Sequence, residues 1–180
     1  MIAQTGAGEG QAGGDVLKSA TLFVEFEPDE LQQLRAGLQT TRFAPGDIIL
    51  GEGKANRALH ILKTGRIRVT RRVDSREVAL CDLVAGQTFG ELSIIEDGVA
   101  SATLQAVTET EVLSISMHDL ARFLQSQPVA AAKFWRAVAV DLRRRLLQTN
   151  DVVRNYFEVN RALVENPTFR EAYAMCNREC

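Results

Sequence analysis

Two kinds of hydrophobic spacing alternate along the chain. From Pro28 the run PDELQQLRAGL opens on proline and acidic residues and places leucine at 31, 34 and 38. That is the interval of one helix face, so a short amphipathic helix is predicted. Period-two or continuous β-type runs follow: TTRFAPGDIIL, RALHILKTGRIRVTRRV, EVALCDLVAGQTFGELSII and SATLQAVTETEVLSISM. They are broken at Pro45-Gly46, Gly51 to Gly53, Thr64-Gly65, Val73 to Ser75, Gly86 and Asp97-Gly98. Short strands at such regular spacing predict an antiparallel roll or sandwich rather than a parallel sheet.

From His118 the helical period returns, first in HDLARFLQSQ and then, after Pro128, in a long stretch running at least to Val159. Within it Trp135, Ala139, Leu142, Leu146, Thr149, Val153, Tyr156, Asn160 and Leu163 follow alternating steps of four and three, a heptad seam. A helix packed on its own roll accounts for such a stripe, and so does a two-stranded coiled coil. The stripe is narrow, Asp141 and Arg143 to Arg145 surround it, and a roll can cover only part of so long a helix. These features favour a homodimer through helix 135–163. The expected fold class is α+β: an antiparallel β-roll (double-stranded β-helix or jelly roll) with an N-terminal helix, a short helix within the roll and a long C-terminal helix. The expected division is an arm over 1–15, the roll over 16–127, the long helix over 128–163 and a tail over 164–180.

Composition adds limits. The 180 residues, 46% of them hydrophobic, can bury one full core. Residues 1–14 carry almost nothing apolar and cannot offset the entropy of ordering, hence the arm. Gly8, Gly10 and Gly13 spell G-x-G-x-x-G, but no strand precedes them and no apolar-striped helix follows directly, so the match is read as chance. A net charge of -2 offers no bulk field for nucleic acid or an anionic membrane. The start lacks a signal-peptide pattern and no apolar run approaches a bilayer span, so a soluble cytoplasmic protein without a membrane partner is expected. Cys81, Cys176 and Cys180 do not form a disulfide framework, and His60 and His118 lie in unrelated segments, so no metal site is expected.

The order of elements, with R-F-x-P-G-D-I-I over 42–49, Gly53, Leu62 to Val69 around Gly65, and above all Phe89-Gly90-Glu91-Leu92-Ser93-Ile94, resembles the cyclic nucleotide-binding domain family. That family includes catabolite activators, kinase regulatory subunits and gated channels. The resemblance covers residues 17 to about 158, and F-G-E-L is its most specific part, opening the family's phosphate-binding cassette. It implies that Phe89, Gly90, Glu91, Leu92, Ser93, Ala100, Ser101 and Ala102 line a ligand pocket. Glycine at 90 permits close backbone approach. Glu91 would accept from a ribose hydroxyl, and a short helix over 91–96 would turn free amides toward an anion.

The family closes its cassette with an arginine before small residues, which pairs with the phosphate. Aligning F-G-E-L with the Ser101-Ala102-Thr103 ending puts Ala100 at that place. An unpaired phosphate in a partly buried pocket forfeits a few kcal/mol, roughly two to three powers of ten in affinity. Arg57, Arg66 and Arg68 are the candidates to substitute. Thr149 and Asn150, after Arg144-Arg145-Leu146, resemble the stretch where activators meet the purine across the dimer seam; a polar register-setter explains Thr149 equally.

A DNA-binding module would need roughly 60 to 70 residues beyond the long helix, and the sequence after residue 158 shows no pair of basic recognition helices, so no DNA partner is expected. No G-x-S-x-G elbow, G-x-x-x-x-G-K loop or metal-spaced histidine pair occurs, so no enzyme activity is assigned. Two functions remain open. One is a non-enzymatic regulatory module sensing a cyclic nucleotide (cyclic AMP or cyclic GMP) weakly, or an altered ligand. The other is a degenerate pocket on a dimerising module that recruits a protein partner.

Overall fold

A computed structural model of the chain describes residues 13–91 and 98–168. In order these form helices α1 (Gly13–Ser19) and α2 (Pro28–Arg35), then strands β1 (Leu38–Phe43), β2 (Ile48–Leu50), β3 (Ala58–Thr64), β4 (Arg66–Val73), β5 (Arg76–Val84), β6 (Thr88–Phe89), β7 (Thr103–Ala106) and β8 (Thr110–Ser116), and finally helices α3 (Met117–Ser126) and α4 (Pro128–Glu165). The fold is the expected antiparallel β-roll with flanking helices and a long helix at its end. By its internal contacts the chain divides into two compact units, 1–138 and 139–180, and α4 contributes to both. The arm expected over 1–15 falls mostly outside the described residues, and α1 starts inside it at Gly13. The short helix expected over 91–96 and most of the 164–180 tail also lie outside them.

The strands form two four-stranded sheets, ordered β1-β8-β3-β6 and β2-β7-β4-β5, with every pairing antiparallel. Side chains alternate across a strand. Thus Leu62 and Val112 of the first sheet face Ile67, Leu83 and Leu104 of the second, with Phe89, around one apolar core. The neighbours Leu59, Ile61, Leu113 and Ile115 point the opposite way, and all four are buried. On that side aromatic rings of the α1–α2 connection and of the two C-terminal helices form a chain: Phe23 to Phe134 at 5.9 Å, Phe23 to Phe26 at 5.2 Å, and Phe26 to Phe123 at 6.1 Å.

Four short connections pass the chain from one sheet to the other: residues 44–47, Gly65 alone, 85–87 and 107–109. They are laced together by backbone bonds, Gly46 N–H to Ala106 C=O at 2.8 Å, Val107 N–H to Arg66 C=O at 2.8 Å and Gly86 N–H to Leu62 C=O at 2.8 Å. Gly65 is at φ +93°, and a Cβ there would fall 2.6 Å from Thr110 Oγ1, so only glycine makes this one-residue crossing. The two long crossings, 51–57 and 90–102, carry the candidate site.

Two local expectations are corrected. The helix predicted to include Leu38 ends at Arg35, because Leu38 pairs with Ile115 as the first residue of β1. The helix predicted from His118 starts one residue earlier, where the Ser116 hydroxyl caps it by accepting from Asp119 N–H at 3.1 Å. In α4 the buried positions of the first unit are Ala130, Phe134 and Val138, while Trp135, one residue on, is 45% exposed. In the second unit Leu146, Val153 and Tyr156 are exposed. There Asp141 is buried and bridges Arg144 and Arg145 at 2.5 and 2.8 Å.

Candidate ligand-binding site

The F-G-E segment turns sharply out of β6. Phe89 pairs with His60 of β3 in register and stacks on its ring, centroids 4.9 Å apart. Phe89 is therefore part of the core cluster rather than an open pocket wall. Gly90 follows at φ +83°. A Cβ on it would lie 2.5 Å from Asn56 Nδ2 and 2.8 Å from the Ala58 carbonyl, so the requirement for glycine comes from the protein's own packing as well as from any ligand. Glu91, the next residue, is 2% exposed.

Asn56 is buried beneath this turn. Its amide bonds Ala58 in both directions, Nδ2 to Ala58 C=O at 2.9 Å and Oδ1 from Ala58 N–H at 3.2 Å, which fixes the amide orientation. Oδ1 also lies 3.0 Å from His60 Nε2, and since Oδ1 can only accept, Nε2 carries the proton. In the neutral ring Nδ1 then accepts from the Ser114 hydroxyl, 2.7 Å away. Burial pushes the His60 pKa down to about 4, which keeps that ring neutral at physiological pH. No signal marked Asn56, His60 and Ser114 as a group in the sequence. The nearest to one is a polar histidine in phase with Leu62 inside the apolar run ALHIL.

The far end of the cassette returns to the same loop. Asn56 N–H donates to Gly98 C=O, Ala55 and Val99 form an antiparallel bridge, Ala100 N–H donates to Lys54 C=O at 2.9 Å, and Gly53 N–H donates to Ala100 C=O at 2.9 Å. Ala100, where the resemblance predicts arginine, is thus a ladder residue with its methyl buried, 6% exposed. Ala102 is also buried and Ser101 is exposed. Leu92 and Ser93 lie outside the described residues.

Two of the three arginines considered as substitutes point outward. Arg66 and Arg68 alternate with the inward-facing Ile67 and Val69, and Arg68 forks onto Asp82 at 3.0 and 3.2 Å on the outer surface. Arg57 is exposed. Thr149 and Asn150 are exposed on α4, with the Thr149 hydroxyl donating to Arg145 C=O at 3.0 Å within its own helix. Among the described residues no group of three or more metal-ligating side chains occurs, and no helix is long and apolar enough to cross a membrane.

A two-sheet roll with a glycine-acid turn on a polar shelf defines a class, and residues 40–127 match the cyclic nucleotide-binding domain family. The chain belongs to that family. It is 29% identical over 138 residues to a CRP-like cAMP-activated global transcriptional regulator of Mycobacterium tuberculosis, a match covering 76% of this chain and 60% of that protein. It is 32% identical to the N-terminal domain of a transcriptional regulator from Streptomyces coelicolor, with a TM-score of 0.64 over 77% of this chain and 95% of that one. A cyclic nucleotide-binding domain from Methylobacillus flagellatus shares the fold, with 20% identity, a TM-score of 0.73, and coverage of 86% of this chain and 88% of that one.

Proposed function

We propose that this chain is a non-enzymatic regulatory module whose cleft beside Gly90 and Glu91 receives a cyclic nucleotide weakly, or an altered ligand that does not need an arginine for its phosphate. The observation that carries this reading is the pairing of a retained turn with a lost cation. Gly90 and buried Glu91 keep the family's residue types on a hydrogen-bonded shelf, while Ala100 occupies the ladder position at which the phosphate arginine is expected. A guanidinium pairing bidentately with phosphate is worth a few kcal/mol in a partly desolvated site, so its absence lowers affinity without removing the cradle. In this reading Leu92, Ser93, Ser101 and Ala102 belong to the ligand set, and Thr149 and Asn150 of a second copy meet the base across the dimer seam. The protein is cytoplasmic and homodimeric through 135–163, where Leu146, Val153 and Tyr156 of the second unit present an exposed apolar stripe suited to a second copy.

The test is calorimetric titration of cyclic AMP and cyclic GMP into the native chain and into Ala100→Arg. Native binding in the range of tens of micromolar or weaker, tightening about 100-fold in the variant, is the expected result. If no ligand binds below millimolar to either protein, the sensor reading fails. The same exposed stripe supports the second function, a pocket closed to nucleotide on a dimerising module that recruits a protein partner, and that outcome would select it.

A further inference from the structure

Glycines 90 and 98 stand near the two ends of the cassette, and both press on one residue. A Cβ at 90 would strike Asn56 Nδ2 at 2.5 Å, and a Cβ at 98 would stand 3.0 Å from the Asn56 carbonyl oxygen. The Asn56 N–H is donated to Gly98 C=O. Asn56 therefore uses its side chain against the start of the cassette and its backbone against the end. Its amide is held in turn by Ala58 and by His60, and His60 is held by Ser114 and by the ring of Phe89, the residue just before Gly90. We propose that Asn56, oriented by His60, is the positioning residue of this ligand site: it sets the height and angle at which Gly90 and Glu91 are presented and fixes the spacing between the two ends of the cassette.

The chemistry suits that task. A buried amide with its donor and acceptor both used has one low-energy orientation, because turning it over would place two donors face to face and two acceptors face to face. His60 strengthens the choice, since its Nε2–H can only donate and so selects Oδ1. An aliphatic residue at 56 would fill similar volume, yet nothing would then fix its χ angles relative to Gly90. A cradle misplaced by about 1 Å loses most of its value to a ligand that needs several hydrogen bonds at once.

This proposal rests on reading the surface beside Gly90 and Glu91 as the ligand site, so the experiment separates the two. Hydrogen exchange without ligand is followed in peptides covering 89–101 and, as an internal standard, in those covering β3 and β8, for the native chain, Asn56→Ala, His60→Leu and His60→Gln. Cyclic AMP is then titrated into each change made on the Ala100→Arg background. Glutamine places an amide donor where Nε2 stands, whereas leucine keeps bulk without the donor. The expected result is exchange at least tenfold faster in 89–101 for Asn56→Ala and His60→Leu, with the standards little changed and His60→Gln close to native. Cyclic AMP dissociation constants should rise at least tenfold in the first two and less than threefold in the third. Uniformly faster exchange in all peptides, or equal effects of leucine and glutamine at 60, would show a merely structural role and overturn the proposal. Faster local exchange with no cyclic AMP binding to any protein, the Ala100→Arg parent included, would leave the positioning role standing and defeat the nucleotide reading.

Discussion

Replacing Gly90 by alanine should cost far more than the same change at Gly46, and the difference can be worked from the structure. Both glycines have positive φ, +83° at 90 and +90° at 46. An L-residue in that region costs about 1–2 kcal/mol, common to both sites. Reduced freedom of the unfolded chain returns about 0.4–1 kcal/mol, again common to both. Surroundings separate them. Nothing lies within 4 Å of a Cβ at 46, whereas a Cβ at 90 meets Asn56 Nδ2 at 2.5 Å, Ala58 O at 2.8 Å and His60 Cδ2 at 3.1 Å. Two of those atoms belong to side chains locked in the amide–imidazole pair and the third is backbone in β3, so relief requires breaking hydrogen bonds or shifting a strand. Overpacking of this kind costs about 1–3 kcal/mol. Gly46→Ala should thus lose about 1 kcal/mol and Gly90→Ala about 2–4 kcal/mol, a difference in midpoint of roughly 3–10 °C. Equilibrium urea unfolding gives the energies and thermal unfolding the midpoints, each followed by far-UV circular dichroism. A difference below about 0.5 kcal/mol would refute the claim that Gly90 is glycine because of Asn56 and Ala58.

Acid sensitivity should follow from His60. Its folded pKa is depressed to about 4 from 6.5, so the unfolded chain takes up a proton first and stability falls as pH drops from about 6.5 toward about 4, by up to about 3 kcal/mol. Urea midpoints measured across that range should flatten in His60→Gln; an unchanged slope would remove the buried-neutral assignment. Sedimentation of the Leu146→Asp, Val153→Asp double variant should give a monomer while the native chain gives a dimer, because two carboxylates would be placed in an apolar seam. Unchanged mass would exclude that stripe as the contact.

The roll was legible because its signals are local. Strand alternation in RALHILKTGRIRV and the turn glycines at 65 and 86 depend on residues next to each other, and the structure places β3, β4 and their one-residue crossing there. Leu38 misled for the opposite reason. Its spacing from Leu31 and Leu34 is helical, but its partner Ile115 lies far along the chain, and pairing with β8 overrides the local period. The site divides in the same way. The F-G-E segment and the alanine at 100 could be read in order along the chain, whereas the shelf beneath them joins Asn56, His60 and Ser114 from two strands and a loop. Arg66 and Arg68 could be counted in the sequence, but their outward direction comes from Ile67 and Val69 packing into the core between the sheets.

The placing of the crossings has a mechanical consequence. At one end of the roll four short connections are laced by backbone hydrogen bonds, each worth about 1 kcal/mol net, over a core that must be opened to part the sheets. At the other end two longer stretches, 51–57 and 90–102, meet through Asn56 and the ladder from Lys54 to Ala100. Connections of one to four residues tie the sheets at the first end, and stretches of seven and thirteen residues span the second, so chain length itself leaves the second end more room to change.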